Sequence, residues 1–182
     1  MSEDPSKQLP ERIIDQLHVP DDAGEYRQDL ESILKKIPDG WGRWISCDRG
    51  WYPIIVEVDR QLEELIPGYQ VNQIKEKFGT LSYYFDITQE TDPYTLQHPA
   101  PHVDADQEQW NKWSAGWESW AESEEGKTYF AKQEETLAKA NQIVQAAARL
   151  SAKTCELCGK LGETKNRGGW LQTTCAECEK QD

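Results

Sequence analysis

Apolar positions along the chain recur with two different periods. Over residues 25–36, Tyr26, Leu30, Ile33 and Leu34 share one face of a helix, and Lys35 and Lys36 suit its C-terminal end. Over residues 50–66, Trp51, Ile54, Ile55, Val58, Leu62 and Leu65 form a second helical stripe. There Pro53 falls in the first turn, where a missing N–H costs nothing, Asp48 is the candidate cap, and Pro67-Gly68 stops the helix. Residues 69–87 then switch to period two. Leu81, Tyr83 and Phe85 alternate with Ser82, Tyr84 and Asp86, and upstream Val71, Gln73 and Lys75 alternate with Asn72, Ile74 and Glu76. This predicts a β-hairpin turning near Phe78-Gly79-Thr80, with Gly79 taking the positive φ that a tight turn needs.

Before these elements, residues 1–10 are polar and read as disordered, and residues 11–19 read as a short helix ended by Pro20. After the hairpin, residues 88–106 carry Pro93, Pro99 and Pro101 without periodicity and read as a loop. Residues 107–125 read as a helix with Trp110, Trp113, Trp117 and Trp120 on one face. Gly126 is expected to separate it from a long helix over residues 128–152, striped by Phe130, Leu137, Ala140, Val144, Ala147 and Leu150. The expected organisation is a disordered segment 1–10, helices and hairpin over 11–90, and an acidic Trp-rich insert over 91–126. A long helix over 127–152 packs on the core, and a metal module occupies 153–182. The fold class is α+β, mostly helical with a small antiparallel β-hairpin.

The C-terminal cysteines change this picture most. Cys155 and Cys158 stand three positions apart on a turn that Gly159 relieves, and Cys175 and Cys178 repeat the spacing after sixteen intervening residues. Two such pairs supply the four thiolates of a closed tetrahedral zinc site, in a module of treble-clef or zinc-ribbon type. A stretch of about 30 residues is too short for its own apolar core, so the metal has to stabilise it. Residues 165–174 are expected to form a hairpin turning at Gly168-Gly169, with Trp170 packed on the site. Two disulfides or a redox pair are the competing reading. No apolar leader opens the chain, so the expected compartment is reducing and cytoplasmic, which favours one structural Zn2+. The longest apolar run, about residues 52–56, is too short to span a bilayer. A closed four-cysteine site keeps no open position for activating water.

Charge narrows the partner. The 182 residues carry a net charge of -13, and their mean hydropathy of -0.84 points to a modest core in which eight tryptophans supply much of the burial. Residues 86–126 hold ten acids against Lys112 alone, whereas residues 152–182 are balanced. Acidity on this scale disfavours binding to phosphate backbones and favours a basic protein partner. The Trp stripe reads either as core or as a partner-binding face, since tryptophan is enriched at interface hot spots. Lys153, Lys160, Lys165 and Arg167 around the cysteines support the alternative of a nucleic-acid-binding zinc finger. A second alternative is an enzyme using carboxylates around the hairpin over residues 75–84. Against it, the chain has no nucleophile elbow, phosphate loop, dinucleotide glycine pattern or H-E-x-x-H. His98 and His102, with Asp104 and Asp106, read as a second metal site or as incidental loop residues, and Cys47 reads as an idle thiol.

One resemblance follows from particular strings. Gly50-Trp51 with its helix, residues 73–84 (QIKEKFGTLSYY), Cys155-Glu156-Leu157-Cys158-Gly159 and residues 168–178 (GGWLQTTCAEC) resemble a group of small uncharacterised bacterial and phage proteins. The resemblance implies the hairpin and the zinc site and assigns no activity. The acidic Trp-rich insert departs from that pattern. The expected role is therefore a non-enzymatic interaction or regulatory factor. An acidic inhibitor or DNA mimic from a phage or mobile element is its sharpest form.

Overall fold

The computed structural model describes residues 15–87 and 91–180. The disordered segment expected over 1–10, and residues 11–14 of the first expected helix, lie outside them. In chain order the regular elements are β1 (Leu17–His18), α1 (Arg27–Lys35), β2 (Arg43–Ser46), α2 (Tyr52–Leu65), β3 (Gln70–Lys77) and β4 (Thr80–Asp86). There follow α3 (Pro93–Gln97), α4 (Gln107–Ala121), α5 (Glu124–Ser151), β5 (Glu163–Arg167) and β6 (Trp170–Thr174). The α+β class with a small antiparallel strand pair and C-terminal cysteines is what the structure has. The chain divides into two compact units, residues 1–87 with 140–182, and residues 88–139.

In the first unit the hairpin does not stand alone. β1, β2, β3 and β4 form one sheet in that order, with β1–β2 and β2–β3 parallel and only β3–β4 antiparallel. Where the sequence predicts a helix up to Val19, Leu17 and His18 form β1 instead. Pairing with Arg43 and Trp44 of β2, from the far side of α1, decides this. The strict alternation expected in β3 also fails. A bulge between Val71 and Gln73 shifts the register, so Val71 and Ile74, three positions apart, are both buried. The turn is a two-residue loop in which Phe78 (φ 55°) and Gly79 (φ 77°) are both left-handed, as a twisted hairpin requires. Glu76 Oε1 accepts the Gly79 N–H at 2.5 Å.

Leu30, Ile33 and Leu34 of α1, and Ile54, Ile55, Val58 and Leu62 of α2, fill the core beneath the sheet. Ala140 and Ala147 of α5 are buried in the same cluster, with Ile143 and Val144 partly covered. Burying side chains of this size contributes roughly 1.5–3 kcal/mol each. The polar groups inside are satisfied. Lys36 Nζ reaches Asp59 at 2.6 Å and Glu63 at 2.8 Å, and the Tyr69 hydroxyl donates to Asp59 at 2.6 Å. Asp48 precedes a 3-10 turn, Arg49–Trp51, that leads into α2, but its side chain makes no capping bond.

The second unit is built from aromatic rings. Asp92 caps α3 by accepting from Thr95 N at 2.9 Å, which puts a helix where the prolines suggest only loop. Asp106 and Gln109 form a reciprocal capping box at the start of α4. Gly126 lies inside α5 and does not separate two helices, because the break falls at Glu122 and Ser123. Phe130 and Leu137 of the expected long stripe are exposed, as is Leu150 at its other end.

Candidate metal centre and the cavity beside it

The cysteine module belongs to the first unit, and backbone geometry builds it. Cys155 N donates to Lys160 O at 2.7 Å and Gly159 N to Cys155 O at 2.8 Å, closing the first turn, with Gly159 left-handed at φ 77°. β5 and β6 pair from Glu163↔Thr174 to Arg167↔Trp170, with Gly168 and Gly169 at the turn. The strand delivers Cys175, and a single 3-10 turn, Cys178–Lys180, follows the second pair. All four sulfurs then lie within 4.8 Å of one another. Cys158 Sγ and Cys175 Sγ are 3.6 Å apart, close to the tetrahedron edge of ~3.8 Å that Zn–S bonds of about 2.3 Å produce. The thiols are free, with Cys155 and Cys175 buried. The backbone N–H of Cys178, 3.5 Å from Cys175 Sγ, is the leading cause of a Cys175 thiol drawn down to about 6. A donor set of four thiols, one already biased to thiolate, can hold a soft divalent ion.

Contacts distant in sequence seat this module on the core. Gly50 N donates to Glu156 O at 2.7 Å, and the indole N–H of Trp51 donates to Thr154 O at 2.7 Å. Trp51 is fully buried. A Cβ on Gly50 would stand 2.2 Å from Cys155 O and 2.4 Å from Glu156 O, so only glycine permits the approach. At the other end, Thr173 Oγ1 donates to Gly79 O at 2.6 Å, and Leu81 N donates to Ser151 Oγ at 2.8 Å. The Gly50-Trp51 and Phe78-Gly79 strings thus touch the module directly. Sequence reasoning assigns the first to a helix and the second to a turn, and it misses this seating role. The only available signal was the glycine directly before a buried stripe.

Where the module meets β2 and β3 there is a cavity of about 590 Å³, lined by Cys47, Asp48, Glu76, Glu156, Trp170 and Gln172 among others. Glu156 is 5% exposed and its Oε1 accepts from Asp48 N at 3.3 Å. Burial, then the charge of Asp48, pushes its carboxyl up to about 7. Burial and Asp22 raise Asp48 as well. Burial also raises the Cys47 thiol, which keeps it protonated and unreactive, consistent with an idle thiol. Trp170, expected to pack on the metal site, is instead 79% exposed at the rim. It lies beside the hairpin turn at the end of β6 remote from Cys175, so the strand cannot turn its ring onto the sulfurs.

The other candidate residues are placed as follows. Trp110, Trp113, Trp117 and Trp120 are all half-buried within the second unit. Trp120 packs on Tyr94, Tyr129 and Phe130 at 5.8–6.3 Å between ring centroids, and Trp117 packs on Phe130 at 6.1 Å. Trp113 Nε1 donates to His98 O at 2.7 Å. His102 lies 3.3 Å from Asp104, but among the described residues no metal-competent group includes His98, His102, Asp104 or Asp106. Lys160 pairs with Glu177, Lys165 with Glu179 at 3.0 Å, and Arg167 with Glu179 at 3.4 Å. Among the described residues no helix is long and apolar enough to cross a membrane. No protein-family model matches the chain, and no curated protein or solved structure matches it closely enough to carry an argument.

Proposed function

We propose that this chain is a non-enzymatic interaction protein whose fold is completed by one structural Zn2+ on Cys155, Cys158, Cys175 and Cys178. The convergence of four sulfurs from two separate turns carries this reading. Zinc there supplies a crosslink between the turns and, with all four positions filled by thiolates, no site for chemistry on a substrate. The acidic surface selects a basic protein partner inside a reducing cell, as an inhibitor or DNA mimic from a mobile element would. The half-exposed Trp110, Trp113, Trp117 and Trp120 edges then contribute to the contact face. The pairing of Lys160, Lys165 and Arg167 with acids of their own module counts against the nucleic-acid alternative, because these bases are not free to neutralise phosphate.

Native mass spectrometry of chain purified without chelator tests the metal. One zinc per chain is expected, and none after Cys155→Ser with Cys178→Ser. A metal-free chain with intact fold overturns the reading. A gel-shift with duplex DNA at low salt tests the partner class. No shift is expected, and salt-dependent binding would move the protein to the nucleic-acid class.

A further inference from the structure

Alternation along the four-stranded sheet sends Ile45, Ile74 and Tyr83, which lie level with one another, toward the core. Their neighbours one position away face outward and also lie level. His18 pairs with Trp44, Trp44 precedes Ile45 and so comes level with Gln73, and Gln73 pairs with Tyr84. One row across all four strands therefore reads His18, Trp44, Gln73 and Tyr84, and all four are exposed. Trp44 and Tyr84 each keep 41% of their surface open to solvent. The next row is Ser46, Lys75 and Ser82, and Lys77 with Thr80 closes the face at the hairpin turn.

Charge on this face runs against the rest of the chain. Lys75 Nζ stands 5.5 Å from the centre of the Tyr84 ring. Among the described residues neither Lys75 nor Lys77 has an ion pair, unlike Lys36, Arg60, Lys160 and Lys165. Glu76 between them, level with buried Leu81, points the other way. The one acid at these register positions is Asp86 at the far end, and it already accepts from Asn72 Nδ2 at 2.9 Å.

Two free ammonium groups select a polyanion, and the rings choose among polyanions. An acidic peptide offers carboxylates, and a duplex keeps its bases stacked on each other, so each meets the lysines alone. Two lysines do not outweigh a net charge of -13. An unpaired strand adds base faces, which stack on aromatic side chains, and base edges, which the Gln73 amide between the rings can bond. Trp44 is already in place. A Cβ on Gly42 would stand 2.2 Å from its ring, so glycine alone lets the ring lie against the backbone, and His18 meets it edge-on at 6.2 Å. A ring held in this way loses little freedom when a base stacks on it.

We propose that the outward face of this sheet binds an unpaired nucleic-acid strand, with bases stacked on Trp44 and Tyr84 and phosphates met by Lys75 and Lys77. This goes beyond the protein-partner reading and rests on different residues. It also agrees with the absence of duplex binding expected there.

The test is fluorescence anisotropy of a labelled single strand of about 12 nucleotides, within the span that such faces cover, titrated with the full chain. The same strand annealed to its complement, an abasic strand of equal length and a labelled oligoglutamate are the controls. Saturable binding is expected for the single strand, and at least tenfold weaker binding for each control. Trp44→Ala and Tyr84→Ala should each weaken it at least fivefold. Both rings are exposed, so the variants are expected to keep the fold, which circular dichroism checks, and Trp44→Phe should bind within threefold of the parent. Two phosphate contacts predict a slope of log affinity against log salt no steeper than about -1.4, which Lys75→Gln should halve. Four results overturn the proposal. They are no binding of the single strand at low salt, equal binding of the abasic strand or the duplex, equal binding of oligoglutamate, and affinity unaltered by both alanine variants.

Discussion

The two units solve the same problem with opposite materials. In the first, fully buried Leu30, Ile33, Ile55, Leu62 and Ile74 form an aliphatic core, and four cysteine sulfurs able to hold a metal ion gather at its last hairpin. In the second, no apolar side chain resolved over residues 91–139 is fully buried, and half-exposed rings of Tyr94, Trp113, Trp117, Trp120, Tyr129 and Phe130 stack edge to face. Aliphatic packing gains by excluding water completely. Aromatic stacking gains by ring area and geometry even where one edge stays wet. A segment of about 50 residues cannot bury a large fraction of its surface, so large rings are the economical choice there. The expected consequence is a cooperative first unit and a second unit that opens at lower free energy.

Metal removal should break this contrast most sharply. Structural zinc contributes about 10–16 kcal/mol in isolated fingers, as much as a whole domain's net stability. Chelation, or acid that protonates the thiolates, is therefore expected to unfold β5 and β6 and to expose the core. The readout is hydrogen exchange at Thr164 and Thr173 amides, with Trp113 and Trp120 indole signals unchanged. Next, Trp120→Ala should cost about 2–3 kcal/mol, below the full-burial value because the ring is partly exposed. It is expected to release the Phe130 and Tyr129 rings while the amides of α2 remain protected. Gly50→Ala sharpens the comparison from the other side. The added methyl meets backbone carbonyls of the first cysteine turn, which cannot move like a flexible side chain, and about 1–3 kcal/mol should be lost. Zinc affinity should fall with it, measured by chelator competition. The smallest effect is a gain. Phe78 holds a left-handed backbone with its side chain 71% exposed, so Phe78→Asn should stabilise the hairpin by about 1 kcal/mol in thermal unfolding.

Elements written in a local period were legible. The α2 stripe with Pro53 and Pro67-Gly68, the Phe78-Gly79 turn and the paired cysteines each carry their signal within a few residues. The parts that were missed depend on distant partners. Leu17–His18 is a strand because it pairs in parallel with Arg43 and Trp44 across α1, and Ile45 and Ser46 pair in turn with Ile74 and Lys75 of β3. The bulge in β3 serves a core contributed by other elements. Gly126 stays helical despite its propensity, in the first turn of an α5 that runs on to Ser151. The cavity was least legible of all, since Asp48, Glu76 and Glu156, which line it, come from just after β2, from β3 and from the cysteine module, far apart in sequence.

That seating also sets a timetable for synthesis. Gly50 and Trp51 bond to residues more than a hundred positions later, and Gly79 to Thr173. A nascent chain therefore carries an unfinished sheet, with Trp51 lacking its acceptor, until residue 178 has left the ribosome. Contacts of such separation fold slowly and leave strand edges open to wrong pairing. If the four cysteines hold zinc as proposed, the supply of that ion at that moment sets how much of each newly made batch becomes native protein.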